Sequence, residues 1–363
     1  MKRGLILLVS GQAVPNLQAL FTLQPDKAWL LVTPGMARRN DRWFVRAVAE
    51  SKRVPPGGIV PVRVPAAHLP GPTAEAVRGI LQRNPGWSWD IMLAGGTKPM
   101  ALGAWQAAVP AGARPWYMDP ADPGSLLELR GGRTVAVPGP LSLEVFLAAH
   151  GYAGEGDASP WSRVEVDLAG RIARHADRPI FREEDQRLDP GVDPGLAREL
   201  VRRIPGLADG SLAEARWRVF LSGGWLEVFL WSVLRDAADK EIFRDVTRGL
   251  RIVEAAGEVR NEIDVAAMHL RGLVAIEAKS GSRVGEDAVY KFATVLHQVR
   301  ALGIHGVLVV AGAGSSSITS ALRRRAELLG IRLLDGDDVK VLAERRDGKT
   351  VLEVLGLPVE GPR

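Results

Sequence analysis

Over its first 150 residues the chain alternates short apolar runs with segments of helical spacing, and this alternation limits the fold more than any other property of the sequence. LILLVSG, AWLLVTPGM, IVPVRV and DIMLAGG are strand-like runs ending in small or turn-forming residues. PNLQALFTL, RRNDRWFVRAVAE, TAEAVRGILQRN and KPMALGAWQAAV have helical spacing. Strands and helices that alternate in this way predict a parallel sheet covered by helices, the doubly wound α/β class. PWYMD, LLELR and TVAV complete or extend that sheet.

The pattern stops near residue 150. Residues 151–208 carry repeated Pro, Gly and Asp breaks, in DASP, DRPI, DPGVDPG and RIPG, and read as a connecting region with one or two short helices. A second domain spans 209–363. It opens with SGGWLEVFLWSVLRDA, a helix behind a glycine turn, with Trp225, Phe229 and Val233 along one apolar side. Strands around residue 250 follow, then a hairpin, a helix from Asp287 to Leu302, the strand GVLVVAG, a helix from about Ser317 to Leu329, and the strand IRLLD. In the tail, Asp347-Gly348 within AERRDGKTVLEVLGL predicts a further hairpin. This is a compact α/β core, not a second doubly wound sheet, and 363 residues suffice for both domains.

Composition narrows the chemistry. The chain has no cysteine, which excludes disulfides, thiolate catalysis and Cys-ligated zinc or iron–sulfur sites. Lys and Arg total 47 against 42 Asp and Glu, a surplus that permits a nucleic-acid partner without establishing one. No run approaches the roughly 20 apolar residues that span a bilayer, so the expected setting is cytoplasmic.

The chemistry concentrates in NEIDVAAMHLRGLVAIEAKSG, residues 261–281. Ile263 to Met268 and Leu273 to Ile276 are β-prone runs that pair as a hairpin, with His269, Arg271 and Gly272 at its turn. Ionised groups in a sheet are costly unless paired or bound to a metal. Yet Asp264 lies inside the first run, and Glu277 and Lys279 end the second. Glu277 and Lys279 are two apart and share a face, and Asp264 on the neighbouring strand can join them. Two carboxylates so placed suit Mg²⁺ or Mn²⁺, and the lysine then stands beside a metal-bound water or an attacked phosphate. Glu262 neighbours Asp264 on that face and can share its role.

A second site lies in MLAGGTKPMALGAW. The strand ending at Leu93 runs into Gly95-Gly96, and Thr97 and Lys98 open a helix. Glycines let backbone approach a ligand, the helix start offers free N–H groups, and Lys and Thr add a charge and a hydroxyl, which together suit a phosphate. The P-loop and GxGxxG patterns are absent. The first strand ends similarly, in Ser10-Gly11-Gln12 before Pro15-Asn16, so both turns line the carboxyl end of the sheet, where ligands bind in this class.

Asp264, then Glu277-x-Lys279, on a hairpin, with Glu227 in GGWLE on a preceding helix, resembles the PD-(D/E)xK core of restriction endonucleases. Taken with the SxQxxPN-like first turn and the GGTK loop, the whole chain resembles the CARF-domain nucleases of type III CRISPR systems. That resemblance implies a Rossmann-like CARF domain joined to a restriction-endonuclease-like PD-(D/E)xK domain. It implies a homodimer whose paired CARF domains bind cyclic oligoadenylate, cyclic tetra-adenylate in particular, and switch on metal-dependent cleavage of RNA or DNA. By position Ser10, Gly11, Gln12, Gly95, Gly96, Thr97, Lys98 and Met100 inherit the effector role. Glu227, Asp264, Glu277 and Lys279 inherit the catalytic one, with Asp264, Glu277 and Glu227 holding Mn²⁺ or Mg²⁺. The family's helix commonly carries two consecutive acids; here Val228 follows Glu227, one ligand fewer. Two other functions stay open: a ligand-controlled regulator or scaffold with little or no activity, and a repair or restriction nuclease without nucleotide control.

Other candidates are weaker. Tyr290, Lys291 and Gln298 sit on the helix after Lys279, where substrate contacts are expected, and Lys291 is the best of them. The histidines show no ligand spacing, His269 being a turn residue expected in solvent or near substrate. Trp217 and Trp225 suit either core packing or base stacking, and Arg323-Arg324-Arg325 either a solvated face or phosphate contact.

Overall fold

The structure, a computed structural model, describes residues 1–37, 40–51, 54–55, 57–212, 214–254, 259–281, 284–299, 304–312 and 318–359, with the side chains of 40–41, 259–260 and 298–299 left aside. In the N-terminal half, β1 (Arg3–Leu8), α1 (Val14–Leu23), β2 (Lys27–Val32), α2 (Pro34–Ala37), α3 (Asn40–Ser51), β3 (Ile59–Arg63), α4 (Pro70–Arg83), β4 (Ser88–Met92), α5 (Lys98–Ala108) and β5 (Arg114–Asp119) follow the expected alternation. The strands lie in the order β3-β2-β1-β4-β5, all parallel, and β6 (Asp122–Glu128) and β7 (Thr134–Ala136) extend the sheet antiparallel. The chain changes direction between β1 and β4, the switch point where a crevice opens beyond the strand ends. Near-continuous burial of β1 and β2 is what a sheet covered on both faces requires.

After α6 (Leu143–Ala148) the chain crosses to a second sheet. β8 (Tyr152–Asp157) lies in the stretch read as a connection, yet it pairs antiparallel with β11 (Arg244–Glu254) as the edge strand of that sheet. Two seams hold it there. The Asp157 carboxylate accepts from Arg248 Nε at 3.0 Å, and the guanidinium lies 3.9 Å from the Trp161 ring centroid. The Arg248 contact pulls Asp157 down to about 2. The same region supplies α7 (Arg163–Ala173), a small hairpin of β9 (Phe181–Arg182) and β10 (Arg187–Leu188), and α8 (Pro194–Arg203).

The remainder runs α9 (Ala215–Val219), a π turn at Phe220–Gly224, α10 (Trp225–Ala238), β11, β12 (Val259–His269), β13 (Gly272–Ser280), α11 (Glu286–Val299), β14 (Ile304–Ala311), α12 (Ser320–Leu328), β15 (Ile331–Leu334), α13 (Gly336–Glu344) and α14 (Gly348–Leu355). Strand order is β15-β14-β13-β12-β11-β8, parallel from β13 to β15 and antiparallel elsewhere. Leu302 and Ser317, given above as helix ends, lie outside the described residues. α10 is apolar nearly all round because it fills the space between this sheet and α7, α13 and α14.

One expectation about the tail is wrong. Asp347-Gly348 starts a helix, not a hairpin: the Asp347 carboxylate caps α14 by accepting from the Thr350 amide at 2.9 Å, and Val351, Leu352 and Leu355 bury one helical face. Turn chemistry and N-cap chemistry share the same residue types, and the apolar spacing that follows decides between them. Among the described residues no helix is long and apolar enough to cross a membrane.

Candidate functional site

β12 and β13 are joined by a two-residue turn, and their ladder runs from His269 opposite Gly272 to Val265 opposite Ile276. There it stops. β13 continues along β14, with Glu277 opposite Leu308 and Lys279 opposite Val310, while β12 continues along β11. The sheet therefore forks at the next pair in register, Asp264 and Glu277. In the fork Asp264 Oδ2 accepts the Ala278 amide at 2.8 Å, taking the place of a backbone carbonyl.

α10 reaches this fork through its first turn. Ser280 Oγ donates to the Ser222 carbonyl at 2.6 Å, and a Cβ on Gly223 would stand 2.9 Å from that same Oγ. The GG of GGWLE is thus what lets the helix start close on the end of β13, and Glu227 follows in the first turn of α10.

The electrostatics show that these groups sense one another. Burial, reinforced by the Asp264 carboxylate, pushes Glu227 up to about 7. Burial and then the Glu277 carboxylate push Asp264 up to about 6, against the pull of the Ala278 amide. Burial opposes the charge on Lys279, but its contact with Glu277, Nζ to Oε1 at 2.6 Å, prevails and holds the ammonium above its ordinary range. Glu262 is exposed, 3.7 Å from Arg251, and adds to the negative field at both Asp264 and Glu227.

Glu227, Asp264, Glu277 and Lys279 thus come together. Among the described residues no three His, Cys, Asp or Glu side chains are spaced to enclose a metal ion. The donor set nevertheless fits a hard divalent cation in kind: three oxygen ligands, of which Glu227 and Asp264 are raised in pKa by burial and then by a neighbouring carboxylate. A cation on Glu277 would replace Lys279 at Oε1. Beside this cluster lies a cleft of about 600 Å³, lined by Glu227, Ala278 and Lys279 together with Glu183, Gln186 and Arg218. Sequence reading missed the last three. Two-residue strands leave no periodic signal, and Arg218 stands in no motif.

The second site lies at the switch point. β1 and β4 are adjacent, so the Ser10 and Gly95 turns meet beyond their ends. A Cβ on Gly95 would fall 2.0 Å from the Leu8 carbonyl, which itself accepts from Asn16 Nδ2 at 2.8 Å; Gly96 is left-handed at φ 71°. Only glycines fit there. Thr97 caps α5, its hydroxyl accepting from the Met100 amide and donating to the Ala67 carbonyl. Ser10 Oγ makes a local turn with Gln12, and Gly11, Gln12, Thr97 and Lys98 are exposed. Met100 departs from the expectation: its side chain is 1% exposed and packs in the core, with its sulfur against Gly96, so it offers a ligand only its backbone.

His269 also departs. It is buried against Phe243, accepts the Arg271 amide at 3.3 Å, and burial lowers it to about 4, so it is neither solvated nor a substrate contact. Trp217 and Trp225 are core residues. Lys291 is exposed and 3.7 Å from Asp287, Tyr290 lies under Arg325, and the Gln298 side chain is outside the described set. Arg323 is tied to Asp335 at 2.6 Å.

Fold and site define a two-domain protein in which a Rossmann-like domain with a glycine-lined switch point precedes a nuclease-type sheet carrying a carboxylate–lysine cluster. Residues 213–349 match the family model of the Card1-like endonuclease domain, and the chain as a whole shares its fold with the solved structures that follow. Among solved structures, Can2 from Sulfobacillus thermosulfidooxidans in complex with cyclic tetra-adenylate superposes with a TM-score of 0.77 at 20% identity, over 97% of this chain and 96% of that one. Protein VC1899 from Vibrio cholerae gives 0.73 at 17% identity, over 94% and 96%. A type III CRISPR defence DNA nuclease activated by cyclic oligoadenylate gives 0.57 at 25% identity, over 85% of this chain but 45% of that longer one. No curated protein matches the chain in sequence.

Proposed function

We propose that the chain is a divalent-metal-dependent nuclease of type III CRISPR antiviral defence, active on RNA or DNA and switched on when the paired CARF domains of a homodimer bind cyclic tetra-adenylate. The observation that carries the reading is the fork at Asp264 and Glu277, with Lys279 against Glu277 and Glu227 raised beside them. A sheet keeps such a cluster at a cost, and that cost is met by a cation and a phosphodiester. The fold shared with the cyclic tetra-adenylate complex of Can2 supports the choice of ring.

Asp264, through the oxygen not engaged by Ala278, Glu277 and Glu227 would hold Mg²⁺ or Mn²⁺. When bound, that ion supplies an acidified water and positive charge at the scissile phosphate. Lys279, freed from Glu277, donates to a phosphate oxygen and stabilises the charge that grows there. Glu227 would complete the carboxylate set around the ion, whose charge would hold it ionised. At the other end Lys98, Thr97 and the glycine turns receive ring phosphates, and a two-fold dimer presents each loop twice to a ring of repeating units. Ring binding acts by favouring the active arrangement of the dimer over the resting one.

The test incubates the protein with Mn²⁺ and labelled single-stranded RNA, single-stranded DNA or supercoiled plasmid, with and without cyclic tetra-adenylate, beside Glu277→Ala. Cleavage that needs the ring and is lost in the variant is expected. Cleavage indifferent to the ring overturns the sensor, and absence of cleavage under every condition overturns the nuclease.

A further inference from the structure

We propose that Arg218 grips a phosphate flanking the scissile one and so sets the register of the nucleic-acid strand in the cleft, an inference that rests on the nuclease reading above. The cleft of about 600 Å³ has two cationic side chains in its lining, Lys279 and Arg218. Lys279 is engaged with Glu277. Arg218 has no acidic partner among the described residues; its guanidinium makes one long neutral contact, 3.4 Å to the Leu212 carbonyl. An exposed arginine without an acidic partner, in the lining of a cleft that also takes in Glu227 and Lys279 of the cluster, is placed to meet a polyanionic ligand there. Polyanionic strands are repelled by such a cluster and must be held by cations on either side of the reacting phosphate. A guanidinium does this with paired N–H groups that match phosphate oxygens.

Its neighbours sharpen the assignment. Arg216, two residues earlier and so about 200° round the helix, is not in the cleft wall; it pairs with Glu214 at 2.9 Å and stacks over Trp217. Val219, in the same cleft wall, is 67% exposed and offers apolar surface to a sugar or base beside the gripped phosphate. Arg218 and Glu227 also belong to one continuous segment, α9, the π turn and α10, so the spacing between grip and cluster is built into the backbone.

Binding is measured in a Glu277→Gln background, which prevents cleavage, using labelled single-stranded RNA and DNA over a series of salt concentrations. Adding Arg218→Ala is expected to weaken binding about tenfold and to reduce the slope of log K against log salt by about 0.7, one phosphate's share for a single strand. Arg216→Ala, which removes the same charge from the same helix, leaves both within about twofold, and Arg218→Lys recovers part of the loss. In cleavage assays Arg218→Ala raises KM and spares kcat. Equal affinity and slope for the Ala variants at 216 and 218 would overturn the inference. Wild-type cleavage run alongside separates the two readings. If the wild type cleaves and the two variants are alike, Arg218 is dismissed and the nuclease stands. If the wild type is silent while Arg218→Ala alone shifts the slope, the nuclease falls and takes the register claim with it, leaving Arg218 as a phosphate contact only.

Discussion

Asp264 accepts the Ala278 amide at the point where β12 and β13 part, so one carboxylate both closes the backbone ladder and stands among the acids of the fork. The two duties can be separated. Asp264→Asn keeps an acceptor for Ala278 and is expected to fold normally while losing cleavage by at least about a thousandfold. Asp264→Ala leaves a half-buried N–H without a partner and should cost a further 1–3 kcal/mol or so of stability. Cleavage rates beside chemical denaturation of the two variants check this.

The Glu227 carboxylate is expected to weaken the metal-free fold above neutral pH. Its folded pKa of about 7 exceeds the ordinary 4.5, so the folded state holds a proton that the unfolded chain releases. Stability contributed by the protonated form is therefore present below about pH 4.5 and lost as pH rises through about 7. Glu227→Gln should stabilise the protein at pH 8 with chelator by on the order of 1–2 kcal/mol, discounted for partial exposure, while abolishing activity. Thermal unfolding at pH 5 and pH 8 reads the difference, which shrinks towards the lower pH.

The histidines act in the opposite sense. Burial lowers His150 and His269 to about 4 from 6.5, so their contribution is complete above pH 6.5 and is lost as pH falls through 4. His150 has a ring nitrogen without a partner among the described residues, and protonating it forces a charge into the core. His269→Leu should flatten the acid limb of a stability–pH curve.

Lys98→Ala should weaken cyclic tetra-adenylate binding at least about tenfold and leave the melting temperature unchanged, because the side chain is exposed at the start of α5. Gly95→Ala should lose both, since a Cβ there meets the Leu8 carbonyl at 2.0 Å. Calorimetric titration with the ring, paired with thermal melts, separates a ligand contact from a packing requirement.

Much of this was readable from residue order. Alternating runs announced the parallel sheet, and the Asp264, Glu277 and Lys279 spacing placed a cluster on one hairpin face. What stayed hidden arose from contacts that leave no local periodicity. β8 is an exposed edge strand of sequence YAGEGD, without the apolar alternation that marks a strand, and its pairing with β11 is decided by residues about ninety positions away. β9 and β10 are two residues each. Met100 and His269 were misjudged because a motif position and a turn position say nothing about which way a side chain faces. The Asp347 turn was misjudged because the same residue starts hairpins and helices.

The edge strand β8 also bears on how this protein can be cut or recombined. It follows α6 after only three residues and completes the second sheet from the side of the N-terminal half, with the α6 start in turn anchored by Asp245, whose carboxylate accepts the Leu143 amide at 2.7 Å. A fragment beginning at residue 209 would expose the whole length of β11 as an unprotected edge, a template for aggregation. The C-terminal half is therefore not a portable cartridge. Any chimera that keeps this sheet must inherit α6 and β8 with it.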